Sequence, residues 1–176
     1  MGSDNPTGAA NQQERPGCAA WWVVGFADGE GCFSASIVRN GQCRLGWQVQ
    51  PEFSVSQGAR SLDVLSELQS FFGCGLVVRN NRQDNHREPM YRFSVRRTAD
   101  LREHVVPFFE SHPLRTAKND EFRRFVSILR AMEDGEHLCH EGLAGIARII
   151  GTMNHRKAQR FLESSEAIRQ PPHLDG

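Results

Sequence analysis

The sequence predicts an α+β fold, with segments in the order α-β-β-α-β-β-α building a four-stranded antiparallel sheet covered by helices, and further helices appended after them. Two patterns carry this. Four segments alternate apolar and polar residues with the period of a half-buried strand, and the segments around them repeat apolar residues at helical spacing between recognisable stops.

Residues 18–29 read as the first helix. "CFSASIVRN" follows, setting Phe33, Ala35 and Ile37 against Ser34, Ser36 and Val38, and Asn40-Gly41 is a strong hairpin signal. The second strand lies in "CRLGWQVQPEFSVSQG", where Trp47, Val49, Phe53 and Val55 oppose Gln48, Gln50, Glu52, Ser54 and Ser56. Pro51 has no N–H for a ladder, which marks an edge or a bulge. "ARSLDVLSELQSFFG" spaces Leu62, Leu65, Leu68 and Phe72 as a helix stopping at Gly73 or Gly75. "GLVVRNN" is a third strand. "PMYRFSVRR" is a fourth, with Tyr91, Phe93 and Val95 inward and Arg92, Ser94 and Arg96 outward. "TADLREHVVPFFESH" starts a helix at a Thr98 or Asp100 cap and bends at Pro107; "NDEFRRFVSILRAMEDG" and "HEGLAGIARIIGTMN" add two more.

At 176 residues, 39% hydrophobic and 24% charged, the chain fits one domain with one core, over about residues 18–155. The polar stretch 1–17 reads as a mobile tail and 156–176 is weakly patterned. No apolar run of about 18 residues suggests a membrane span, and the N-terminus carries no secretory pattern. Five cysteines without a CxxC argue against a disulfide framework or zinc ribbon and for a reducing, intracellular compartment, cytoplasm or organelle matrix. "EHLCHEG" reads as the start of a helix rather than a metal site. No Gly-rich phosphate loop or nucleophile elbow points to a small-molecule substrate.

Net charge is zero but unevenly spread: Arg79, Arg82, Arg87, Arg92, Arg96 and Arg97 cluster against Asp84 and Glu88, whereas 133–141 holds Glu133, Asp134, Glu136 and Glu141 with no Lys or Arg. Only Lys118 and Lys157 are lysines. The outward sheet face, from Ser34, Ser36, Gln48, Gln50, Glu52, Ser54, Ser56, Arg92, Ser94 and Arg96, is expected to be polar, broad and free of large hydrophobes. Such side chains suit base edges and phosphates; a solvated sheet face would also account for them. Arg79, Asn81 and Arg82, at the end of the third strand, extend the candidate DNA-binding set.

"WWVVGFADGEGCF" opposes its own stability. Glycine inside a helix costs about 1 kcal/mol relative to alanine, and an acid at a helix C-terminus costs roughly 0.3–1 kcal/mol against the macrodipole. Gly25 and Gly29, four apart, permit close approach of a second helix. If that helix belongs to a second copy, Trp22, Gly25, Phe26 and Gly29 line the interface and two Glu30 carboxylates meet, needing a cation between them. A glycine-rich helix end with incidental acids is the alternative on these residues alone.

"VVGFADGEG", residues 23–31, resembles the LAGLIDADG motif of homing endonucleases, and "WWVVGFADGEGCFSASI" is similar to the form common in the group I intron-encoded branch. The resemblance continues through "LGWQVQPEFSVSQ", "FFGCGLV", "VVPFFESHPLRTAKNDEF" and "EDGEHLCHEGLAGIARIIGTMN". It implies a saddle-shaped sheet lying in the major groove of double-stranded DNA, with Mg²⁺-dependent cleavage of both strands to short 3′ overhangs; Mn²⁺ is expected to substitute. It further implies that Glu30 and the Gly29 carbonyl bind metal, that Lys118 works near the scissile phosphate, that Gln57 supports it, and that Asp28 is structural. "LAGIARIIG", residues 143–151, is no second motif, because Arg148 and Ile150 stand at the acidic positions. One acid per chain implies a homodimer and a nearly palindromic site. The rival expectation is an intron maturase or DNA-binding regulator of the same fold that does not cut.

Overall fold

The computed structural model describes residues 16–80 and 89–153; the readings at 1–15, Asn81, Arg82 and 154–176 lie outside these. Helix α1 is Pro16–Glu30, beginning inside the stretch expected to be a tail. It runs directly into β1, Gly31–Arg39, which pairs antiparallel with β2, Trp47–Gly58. Helix α2, Leu62–Phe72, leads to β3, Leu76–Asn80, and β4 is Met90–Val95. Helix α3 comprises Thr98–Asp100, a π-turn at Leu101–Val105 and Val106–Ser111. Helices α4, Lys118–Glu133, and α5, His140–Met153, complete the order. The four strands form one antiparallel sheet, β1-β2-β4-β3.

Three local expectations are corrected. Asn40-Gly41 does not close a two-residue hairpin: β2 starts only at Trp47, and the connection is held by Asn40 N–H on the Gly46 carbonyl (2.9 Å), with Cys43 and Gly46 N–H closing turns inside it. Neither Thr98 nor Asp100 caps α3. The N-cap is Arg97, without a side-chain bond. The disturbance ahead of Pro107 is a π-turn, since proline brings no N–H and its ring crowds the preceding turn, which the wider turn relieves. Pro51 is buried, at a point where β2 has a neighbour on one side only: it opposes Ala35 of β1, and pairing with β4 begins at Phe53.

Alternation along β1 buries Phe33, Ala35 and Ile37 on the side where α1, α2, α4 and α5 pack. The core is aromatic at its centre. Phe53, fully buried, lies 4.8 Å from Phe33 and 5.5 Å from Phe109 between ring centroids, and Phe72 stacks on Phe93. Each buried phenylalanine contributes roughly 1.5–3 kcal/mol of hydrophobic stabilisation. Tight packing dictates Gly75: at φ 83°, its missing Cβ would stand 2.7 Å from Phe93 Cε2 and 2.9 Å from the Ser94 carbonyl. The region of "EHLCHEG" starts α5, with the Cys139 sulfur accepting the Gly142 N–H at 3.4 Å. The second motif-like run buries Ile146, Ala147 and Ile150 as part of α5.

Candidate active site and nucleic-acid interface

The last turn of α1 presents its final carbonyls and two acids to solvent. A helix end leaves carbonyls without intrahelical partners, and here a cation serves one of them: Lys118 Nζ donates to the Gly29 carbonyl at 3.2 Å. Lys118 reaches it because the turn ahead of α4 is fastened to α1. Asp28 Oδ2 accepts the Arg115 N–H at 2.7 Å, and Oδ1 accepts the Thr116 hydroxyl at 2.7 Å and the Thr116 N–H at 3.2 Å. Thr116 Oγ1 accepts the Lys118 N–H in turn. Partial burial pushes the Asp28 carboxyl up, but the Arg115 and Thr116 donors and the Lys118 charge outweigh it and hold the group below its ordinary range.

Glu30, the final residue of α1, is exposed beside this cluster. The Glu30 carboxylate is open to a hard cation, and the Gly29 carbonyl, which accepts one bond from Lys118, keeps a second lone pair for it; oxygen donors of this kind suit magnesium or calcium. Both Asp28 oxygens are occupied by the loop. Among the described residues, no three His, Cys, Asp or Glu side chains converge on a metal position. Gln57 lies two residues beyond Val55, which opposes Gly31 at the start of β1, and so falls at the end of the sheet where α1 finishes. It pairs with Tyr91 on β4 and shares the side of Val55, opposite to Ser54 and Ser56.

Ser34, Ser36, Gln48, Gln50, Glu52, Ser54, Ser56, Arg92 and Ser94 fall on one face of the sheet by pairing and alternation. Gln48 Oε1 accepts from Asn40 Nδ2 at 2.9 Å and from Gln50 Nε2 at 3.4 Å, which turns its own amide donors outward. Arg92 donates to Ser54 Oγ at 2.8 Å and pairs with Glu52, and Arg96 pairs with the same carboxylate. Ser54 is only 3% exposed.

This face is not free of large hydrophobes. Register places Leu76 opposite Ser94 and Val78 opposite Arg92, both exposed on the polar side. It also places Arg79 opposite Tyr91, on the other side of the sheet from Arg92 and Ser94. The one-residue phase of β3 against β4 decides both, and neither strand's own pattern states it. Thr116 and Arg115 were likewise not foreseen, since nothing local in "PLRTAKND" signals a carboxylate from a distant helix.

On the outer side of α1, Trp22, Gly25, Phe26 and Gly29 form one stripe, with the Trp22 and Phe26 rings stacked at 5.4 Å. Trp22 is 42% exposed, and a Cβ at Gly25 or Gly29 would meet no atom within 4 Å. Because Ala20, Val23, Val24 and Ala27 are buried on the opposite side, α1 is apolar on both.

The profile of the LAGLIDADG endonuclease family matches residues 23–129. A probable intron-encoded endonuclease 3 of Neurospora crassa is 30% identical over 135 residues, covering 76% of this chain and 24% of the relative. The homing endonuclease I-ApeII of Aeropyrum pernix is 29% identical over 114 residues, covering 64% of this chain and 65% of that protein. The chain spans only about a quarter to a third of the length of the first curated relatives it matches. Among solved structures, the homing endonuclease I-TnaI superposes with a TM-score of 0.76 at 44% identity, covering 85% of this chain and 97% of that one. The meganuclease I-SmaMI bound to uncleaved DNA target in the presence of calcium ions gives 0.75 at 27%, covering 89% and 52%. With the four-stranded sheet under its helices and Glu30 ending the motif helix, this chain belongs to the LAGLIDADG endonuclease family.

Proposed function

We propose that this chain is a homing endonuclease that works as a pair of identical copies, cutting both strands of a long, nearly palindromic DNA duplex by Mg²⁺-dependent hydrolysis that leaves short 3′ overhangs. The carrying observation is the cluster at the end of α1, where Lys118 donates to the Gly29 carbonyl next to the exposed Glu30. One copy supplies a single free carboxylate there, so the α1 stripe of Trp22, Gly25, Phe26 and Gly29 fits a two-fold contact that brings a second Glu30 beside the first. A divalent ion held by Glu30 and the Gly29 carbonyl, with Mn²⁺ able to replace Mg²⁺, would polarise the phosphodiester and activate water. Lys118 neutralises charge developing on the phosphate, and Asp28 keeps Lys118 in place through Thr116. The polar sheet face then lies against the major groove. The solved relatives bound to DNA support this partner.

The test is incubation of the purified protein and of Glu30→Gln with a target-bearing plasmid and Mg²⁺. The expected result is linearisation by the unmodified protein alone, with both proteins retaining the duplex. Binding without linearisation by the unmodified protein would instead identify a maturase or regulator.

A further inference from the structure

Two arginines that look equivalent in sequence have different surroundings. Arg92 is 24% exposed in its side chain; its Nη2 is 3.3 Å from Glu52 Oε2 and 2.8 Å from Ser54 Oγ, and its buried Nε has no hydrogen-bond partner. Arg96 is 70% exposed, and its Nε lies 3.2 Å from Glu52 Oε1, near enough to pair but not aligned for a hydrogen bond. Most of the Arg96 side chain therefore remains open to a ligand. Glu52 itself is 14% exposed, a carboxylate set into a face that has to meet a polyanion. A phosphate-binding surface gains nothing from such an acid. A base-reading arginine does, because a carboxylate behind Nε stiffens a long side chain and turns its fork outward.

Taking the duplex-binding reading above as its basis, we infer that Arg96 reads a guanine through its exposed guanidinium, with Glu52 as its positioning residue and Arg92 as the fixed cation that holds Glu52. The planar fork matches guanine O6 and N7 in the major groove. Glu52 opposes Ser34, four residues along β1 from Glu30, or roughly 13 Å at strand rise. The guanine therefore belongs to the inner part of each half-site, close to the cut.

The experiment starts with binding selection from a randomised duplex library, with Ca²⁺ in place of Mg²⁺, by the full chain and by Arg96→Lys, Arg96→Ala, Glu52→Gln and Arg92→Ala. Duplexes of the recovered consensus then have each inner guanine replaced in turn by 7-deazaguanine, which lacks the N7 acceptor. The unmodified protein should lose at least about fivefold in affinity at one inner guanine. Arg96→Ala should be indifferent to that replacement, and Arg96→Lys should show a smaller penalty while keeping the salt slope. Glu52→Gln should blunt the preference while binding random duplex as tightly as the unmodified protein or tighter. A consensus and a 7-deazaguanine penalty unchanged in Arg96→Ala overturn the assignment, and a preference lost on Arg92→Ala in a folded protein but kept in Arg96→Ala moves the contact to Arg92. If the unmodified protein selects no consensus at all, the duplex-binding reading falls and this one falls with it.

Discussion

Replacing Asp28 with alanine tests how Lys118 is held. The carboxylate accepts three hydrogen bonds from Arg115 and Thr116, across 87 and 88 residues of chain, and it fastens the turn that begins α4. A hydrogen bond to a charged group contributes about 1.5–3 kcal/mol in a dry setting, but water reaches this carboxylate, and exposed pairs are worth about 1 kcal/mol or less. The three together should therefore contribute about 1–2 kcal/mol. In a chain of this size that lowers Tm by roughly 2–8 °C. The donors hold the Asp28 carboxyl below its ordinary range, so its contribution is whole above about pH 4 and is lost as acid protonates it below that. Urea denaturation of the unmodified protein and Asp28→Ala from pH 7 to pH 3.5 should show a gap that narrows at the acid end, with Asp28→Asn between them. A variant as stable as the unmodified protein at pH 7, or a gap that does not change with pH, would refute the clamp.

Gly25→Leu should leave the single chain at least as stable, because a Cβ there meets nothing within 4 Å and leucine favours helix by about 0.8 kcal/mol. It should abolish pairing, read by sedimentation, and plasmid cleavage with it. Phe53→Ala removes a fully buried ring at the junction of four other phenylalanines and should cost about 3–5 kcal/mol by chemical denaturation. Gly75→Ala combines a left-handed backbone with contacts under 3 Å and should lose at least about 1–3 kcal/mol, whereas Leu76→Gln beside it, 65% exposed, should change stability by less than about 0.5 kcal/mol.

Strand and helix identities were legible because period and punctuation are local properties. Phe33, Ala35 and Ile37 alternate whatever surrounds them, and Gly73 stops α2 with a φ of 64° that glycine tolerates. The acids of α1 were legible as a cost without a local return, and the motif they form was legible as a resemblance. Less readable were features that depend on relative phase. The face of Arg79 turned on a one-residue register between β3 and β4, and the hairpin signal at Asn40-Gly41 was outcompeted by a longer turn that bonds across to Gly46.

The sequence by itself determined the order of elements, the apolar side of β1, β2 and β4, and the presence of a helix whose glycines and terminal acids serve something other than its own stability. Only the tertiary structure decided that Asp28 is bound to a loop 87 residues away while Glu30 stays free, and that Arg92 is mostly enclosed beside Glu52 and Ser54 while Arg96, paired to the same carboxylate, stays exposed. The reason is the range of the forces. Periodicity and capping act within a few residues, whereas the availability of a carboxylate or guanidinium depends on which donors and acceptors the packed chain brings within about 3 Å.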